Sequence, residues 1–509
     1  MLASVNSLAI NGIEAIPVKV EVDIHNGLPG FDIVGLASAS VREARERVKA
    51  AIKNCNIRFP NRRITVNLAP ADIKKEGSHF DLAIAAGVFL ASQECEKRLF
   101  SNYFLAGELS LDGKVRKVPG VLSMAIEIAK LPANTIFIIP EGNSKEASLV
   151  KAQGVFCISH LQQLFGHFAE GILLPEVEAR EILAEPTEEE ALDFLDIKGQ
   201  ESAKRGLIIA AAGQHNALLI GPPGSGKTML ARRVPGILPE MKREEILETT
   251  RIYSVAGFLD ENYPLVTKRP FRSPHKNASA ASIVGGGKNP RPGEITLAQN
   301  GVLFLDELPE FNREVLEALR QPLEDRSITI TRAQGSCTFP ANFSLIGSMN
   351  PCPCGKFGSD LECSCTPLQI RKYLGRISGP LLDRMDIQVE VPRVKYDDLK
   401  NHSTGESSKQ IRERVQLARD IQARRFSDYS ITLNSHMAPA HIKRFCQLDD
   451  KSEQILKLAF SKLRLSARGY DRILKIARTI ADLGGEPQIQ VKHLAEAIQY
   501  RSLDRKYWE

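Results

Sequence analysis

The stretch ALLIGPPGSGKTML, residues 217–230, limits what this chain can fold into more than any other. An apolar run leads directly into a glycine loop and a helix start, leaving no room for a hairpin return. Strand, glycine loop and helix in this order are what a phosphate cradle requires, and the segment reads as part of a nucleotide-binding α/β core. Gly221, Gly224 and Gly226 let backbone N–H groups close around phosphates, and Pro222, Pro223 and Ser225 complete the loop. Lys227 is expected to reach the β- and γ-phosphates of ATP and Thr228 to hold Mg²⁺, with Met229 beside them in the first helical turn.

Two later strands supply what such a loop lacks. GVLFLDELPEF ends a buried run in two carboxylates: Asp306 is placed to orient the Mg²⁺ shell and Glu307 to polarise the attacking water. FSLIGSMNP ends at Asn350, whose amide can hold that water or the γ-phosphate. GPLLDRMDIQVEV then offers Arg384 between Asp383 and Asp386, and LRLSARGYDRILKIART offers Arg468 near a helix start. Each arginine either pairs with a neighbouring carboxylate or stabilises charge on a nucleotide.

At 509 residues the chain is too long for one core. Residues 1–168 alternate β-branched strands with helical runs and read as a separate α/β or α+β domain. Residues 169–195 are Glu-rich and read as an acidic linker, 196–392 as the nucleotide-binding core, and 393–509 as almost wholly helical. The net charge of +6 is concentrated late in the chain, because residues 400–509 hold 21 Lys and Arg against 13 Asp and Glu. A basic terminal domain suits a nucleic-acid partner or simply a solvated helical surface. No long charge-free apolar run suggests membrane insertion, and the start lacks a basic head before an apolar core, so a cytoplasmic location is expected. The nine cysteines give no disulfide framework.

Read together, DIKGQ (196–200), GPPGSGKT, RPFRSPHKNASAASIVGGG, PRPGEITLAQNGVLFLDELPEF, LRQPLED and MNPCPCG resemble the magnesium-chelatase-like AAA+ ATPases of the ComM/YifB family over nearly the whole chain. The resemblance implies an AAA+ P-loop core with a parallel sheet, a helical C-terminal lid and a Lon-protease-like N-terminal domain. It further implies a homo-hexamer in which Arg384 and Arg468 take the finger and sensor positions. The implied activity is that of a helicase driving branch migration of incoming DNA in natural transformation, working on single-stranded or branched DNA alongside recombination proteins. Two other readings stay open: the ATPase subunit of a metal chelatase, and a regulatory or chaperone-like ATPase.

Within this frame the glycine-rich excursion SIVGGGKNPRPGEITLAQNG resembles the pore loop of helix-2-insert AAA+ proteins, with Lys288 and Arg291 as candidate DNA contacts. RSITITRAQGSCTFPANF reads as a β-hairpin with Arg332 near its tip, at a position where minichromosome-maintenance helicases contact DNA. Such phosphate contacts bind without sequence preference; packing against neighbouring subunits is the other use for both loops. Cys352, Cys354, Cys363 and Cys365 form two C-x-C pairs suited to one tetrahedral Zn²⁺, with an iron–sulfur cluster or free redox-active thiols as alternatives. The N-terminal domain resembles the Lon proteolytic domain but departs from it at the chemistry. His79, next to Ser78, stands where Lon carries its serine, and Leu122 where Lon carries its lysine, so proteolysis is not expected.

Overall fold

A computed structural model describes residues 1–92, 100–179, 192–260, 263–287, 290–332, 335–358, 362–394, 405–462 and 466–508. Lys288 lies outside these residues, and for Arg332 the backbone alone is described.

The N-terminal body is built on a mixed seven-stranded sheet. Its order is Gly30–Val34, Arg63–Ala69, Glu14–His25, Leu2–Asn11, Tyr103–Leu105, Ile136–Pro140 and Val155–Ile158. Alternation explains the long strand Glu14–His25: Val18, Val20, Val22 and Ile24 point inward and are buried, and the residues between them face outward or are partly covered. The helix Asp81–Ser92 is buried on every side through Ala91, which suits its run of small and apolar residues. It lies close on the sheet because Gly87 has no side chain; a Cβ there would come within 2.5 Å of Val22 Cγ2.

The second body carries a five-stranded, wholly parallel sheet in the order Phe271–Arg272, Val302–Leu305, Ser344–Met349, Ala217–Ile220 and Ile387–Glu390. Helices cover it, so ALLI, VLFL and SLIGSM are buried at every position and read as unbroken apolar runs. The C-terminal helices Ser408–Arg425, Ala467–Leu483 and Val491–Gln499 share one apolar core with this sheet, in which Ile473, Leu494 and Tyr500 join Ile387 and Val389. Gln388 N–H donates to Tyr500 O at 3.1 Å and fastens the helical region to the edge strand.

The two bodies touch along the helix Arg243–Ala256. Glu146 is buried at this junction, where it accepts from Ser254 Oγ, from Leu122 N–H at 2.8 Å and from Asn143 Nδ2 at 2.9 Å. Gly120 N–H donates to Ser254 O at 3.1 Å and Arg251 Nε to Ser123 Oγ at 3.1 Å. A second foothold is the turn at Gly12 and Ile13. A Cβ on Gly12 would sit 3.3 Å from Thr338 O, and Ile13 packs on the cluster holding Ile330, Cys337 and Phe339.

Candidate functional site

The phosphate loop leaves the C-terminal end of Ala217–Ile220 and enters the helix Lys227–Ile237. Gly224 (φ 74°) and Gly226 (φ 91°) hold left-handed backbone, and Gly221 is confined because a Cβ would meet Val391 O at 2.1 Å. Lys227 Nζ is largely buried and donates to Gly221 O (2.7 Å), Pro222 O (2.9 Å) and Asn350 Oδ1 (3.2 Å). Burial pulls its pKa down to about 8 against the opposing pull of Asp306 and Glu307. Ser225 Oγ is buried with no protein partner, as expected of a group that meets a ligand. Met229 is on the exposed side of the same helix.

Thr228 Oγ1 donates to Asp306 Oδ2 at 2.9 Å, so the two groups expected to share Mg²⁺ already touch. Ser348 Oγ bonds the other oxygen of Asp306, and Glu307 N–H donates to Asp306 Oδ1 at 3.0 Å. Glu307 itself has a left-handed backbone (φ 53°), and its carboxylate accepts from Lys276 Nζ at 2.7 Å. Lys227, Thr228, Asp306 and Asn350 thus converge on one point, with Glu307 at its edge. The donors, the orphaned hydroxyl and the open glycines fit a Mg²⁺-triphosphate. The composition of the motifs did not reveal three supporting residues: Ser348, Lys276 and Gln200. Gln200 Nε2 ties the loop at Ser225 O (3.2 Å) to Pro392 O (2.5 Å).

Arg384 and Arg468 lie elsewhere, together. Both line a cavity of about 420 Å³ shared with Arg326, Asp386, Arg472 and Lys475. Of the two alternatives for Arg384, pairing with the neighbouring Asp383 or Asp386 is not what forms. Arg384 bonds Glu324 and Pro380 O, while Asp386 takes Asn216 N–H and Arg472. Arg384 Nε and Arg472 Nη1 are buried without partners, and burial draws the Arg326 guanidinium down to about 10 despite nearby Asp386. Asn216 and Asp386 precede the strands Ala217–Ile220 and Ile387–Glu390, so the cavity opens at the N-terminal end of the parallel sheet. The phosphate loop is at the other end, about 13 Å away for four residues of strand at about 3.3 Å each. These arginines therefore face away from the chain's own loop.

The excursion closes on a short ladder, with Gly285 opposite Pro292 and Gly286 opposite Arg291; Arg291 is exposed. A bidentate pair from Arg272 to Glu294 (2.7 and 2.8 Å) clamps its base. The hairpin pairs Ser327–Arg332 with Gly335–Pro340, which puts the Arg332 backbone in the last rung before the tip.

The Sγ atoms of Cys352, Cys354, Cys363 and Cys365 all lie within 4.8 Å of one another. Three separations are 3.4, 3.7 and 3.5 Å. These are far beyond a disulfide and close to the edge of about 3.8 Å in a tetrahedron with Zn–S bonds of about 2.3 Å. The set can hold a metal ion.

The chain is similar to known proteins along nearly its whole length. Family models match in three consecutive blocks: subunit ChlI of Mg-chelatase over residues 20–143, magnesium chelatase subunit ChlI over 193–399, and the magnesium chelatase subunit ChlI C-terminal region over 405–501. The chain is 46% identical over 507 residues to competence protein ComM of Haemophilus influenzae, covering 99% of this chain and 98% of that one. The chain belongs to the ComM/YifB family. YifB of Salmonella typhimurium, an uncharacterized protein, is 45% identical over 505 residues, with the same coverage of 99% and 98%. Membership in this AAA+ family implies an ATPase that uses ATP and Mg²⁺.

The N-terminal body also finds a relative in Lon protease 2 of Bacillus subtilis, 30% identical over 202 residues, 34% of this chain and 35% of the protease. In this ComM/YifB member the corresponding residues are committed to structure. His79 is buried, bonds Leu8 O at 2.9 Å and has its pKa pushed down to about 4 by burial. Ser78 Oγ donates to Glu108, and the Leu122 side chain is buried. Among the described residues, no helix is long and apolar enough to cross a membrane.

Proposed function

We propose that this chain is a cytoplasmic, ATP-driven ring motor, a homo-hexamer that moves single-stranded or branched DNA. In this reading it promotes branch migration as a helicase and works with recombination proteins when incoming DNA is integrated in natural transformation. One observation carries the ring: the phosphate loop and the Arg384–Arg468 cavity lie at opposite ends of one sheet, so each site is completed only by a second copy. Lys227 would hold the β- and γ-phosphates, and Thr228 and Asp306 would hold Mg²⁺, which would supply neutralisation of phosphate charge. Glu307 accepts the proton of the attacking water, Asn350 orients that water, and Arg384 and Arg468 of the next subunit stabilise charge on the leaving phosphate. Lys288, Arg291 and Arg332 contact DNA backbone in the pore. The name of the Haemophilus relative, a competence protein, supports the transformation setting. The domain division proposed is 1–168, 169–195, 196–392 and 393–509, with one structural Zn²⁺ at the four clustered cysteines.

The test is ATP turnover with and without single-stranded and four-way-junction DNA, beside displacement of a labelled strand. The motor reading expects DNA to accelerate turnover and turnover to drive displacement. A second reading, an ATPase subunit of a metal-chelatase-like complex, draws on the matching family models. It expects turnover indifferent to DNA, and that outcome would displace the motor.

A further inference from the structure

The clustered cysteines sit against the nucleotide site. Cys352, fully buried, follows Asn350 by two residues, and Asn350 bonds Lys227. Beyond Cys354 the chain turns at Gly355 with a left-handed backbone (φ 77°), and the turn lies flat on the phosphate loop: a Cβ on Gly355 would fall 2.4 Å from Pro223 Cδ and 2.8 Å from Pro223 Cγ. The far side is held as well. Phe357 N–H donates to Cys352 Sγ at 3.3 Å, and its ring meets Tyr507 edge-on at 6.4 Å. Tyr507 Oη then donates to Glu390 at 2.6 Å, at the end of the strand next to the loop. The four-sulfur turn is thus wedged between the last helix, Leu503–Trp508, and Pro223.

We infer that metal at Cys352, Cys354, Cys363 and Cys365 braces the phosphate loop, so that nucleotide affinity depends on the metal. The inference rests on the zinc reading above. Each thiol gives its proton to solvent on taking the ion, and the four thiolates then fix the Cys352–Gly355 turn. Released from the metal, the turn has no covalent tie holding Gly355 on Pro223, and Asn350 loses the anchor two residues behind it. A loop that must order itself on binding binds less tightly. Gly355, Pro223 and the cysteines are in this account positioning residues.

The experiment uses the full chain purified without chelator, with zinc measured by elemental analysis and affinity by a fluorescent ADP analogue. Stripping the metal is expected to weaken ADP binding by about tenfold or more, and added Zn²⁺ to restore it. Gly355→Ala should retain about one zinc per chain yet bind ADP more weakly. Should that variant fail to fold or to hold zinc, Pro223→Ala removes the same contact from the loop side. In it the difference between loaded and stripped protein should narrow, as a double-mutant cycle requires. Zinc present but ADP affinity unchanged on its removal overturns the brace and leaves the zinc reading standing. Native protein free of zinc with tight ADP binding overturns both.

Discussion

At the scale of single residues, Lys227 is the group whose environment makes the sharpest demands. Its amine is desolvated in the nucleotide-free loop, with its pKa down at about 8, and a bound triphosphate must raise that value. Nucleotide affinity is then fully present below pH 8 and lost as pH rises through it, by up to about tenfold per unit until the bound-state value is reached. Titrating ADP affinity from pH 7 to 9.5 checks this, and a flat profile would contradict the role of the amine. Lys227→Ala should abolish ATP binding. Glu307→Gln should leave binding intact and stop hydrolysis, because the carboxylate is needed as proton acceptor rather than as ligand; turnover near wild type in that variant would remove Glu307 from the mechanism. That variant also loses a charged partner for Lys276, a lysine inside the RPFRSPHKN motif whose approach to Glu307 depends on the folded chain. The phosphate loop, Asp306 and Asn350 were legible because local order fixes them: each ends a buried strand. Ser348 and Gln200 were not, because their roles depend on which strands become neighbours.

At the scale of elements, the excursion and the hairpin carry the DNA prediction. Charge reversal at Lys288 and Arg291, and separately at Arg332, should weaken DNA binding and DNA-stimulated hydrolysis while basal turnover stays near its starting value. Each lost phosphate contact should also flatten the log–log salt dependence by about one unit or a little less. A salt titration beside a DNA-free ATPase assay reads both. Unchanged DNA affinity with collapsed basal turnover would instead make these loops part of the subunit interface. The elements themselves were largely readable. RRITVNLAP and TIFIIPEG are strands, Arg63–Ala69 and Ile136–Pro140, and the hairpin pairs two short alternating runs, Ser327–Arg332 and Gly335–Pro340. The run SASVREARERVKAAIKNC is helical in two pieces, Ala39–Arg42 and Ala44–Asn54, meeting at Glu43. Its amphipathic pattern continues through the break, so periodicity alone does not reveal it. Pairings across long separations were also invisible: the Tyr507 contact to Glu390 joins segments whose neighbours in sequence say nothing of each other.

At the scale of the molecule, the sheet with a nucleotide loop at one end and an arginine cavity at the other predicts shared active sites. Lys227→Ala and Arg384→Ala proteins should each be inactive alone. Mixed in equal amounts they should recover about a quarter of wild-type turnover, since a random ring places an intact loop beside an intact arginine at about one interface in four. No recovery on mixing, with both variants assembling normally, would mean that each chain completes its own site. The N-terminal body adds a mechanical consequence. Among the described residues, it rests on the nucleotide-binding body at Ser254 on a long helix and at Thr338 on the hairpin strand. If the hairpin shifts during the cycle while the helix stays in place, the body cannot follow both. It must then pivot about the contact between Glu146 and Ser254. In a motor of the proposed kind, the Lon-like body is then a lever hinged at Ser254 and driven from the hairpin.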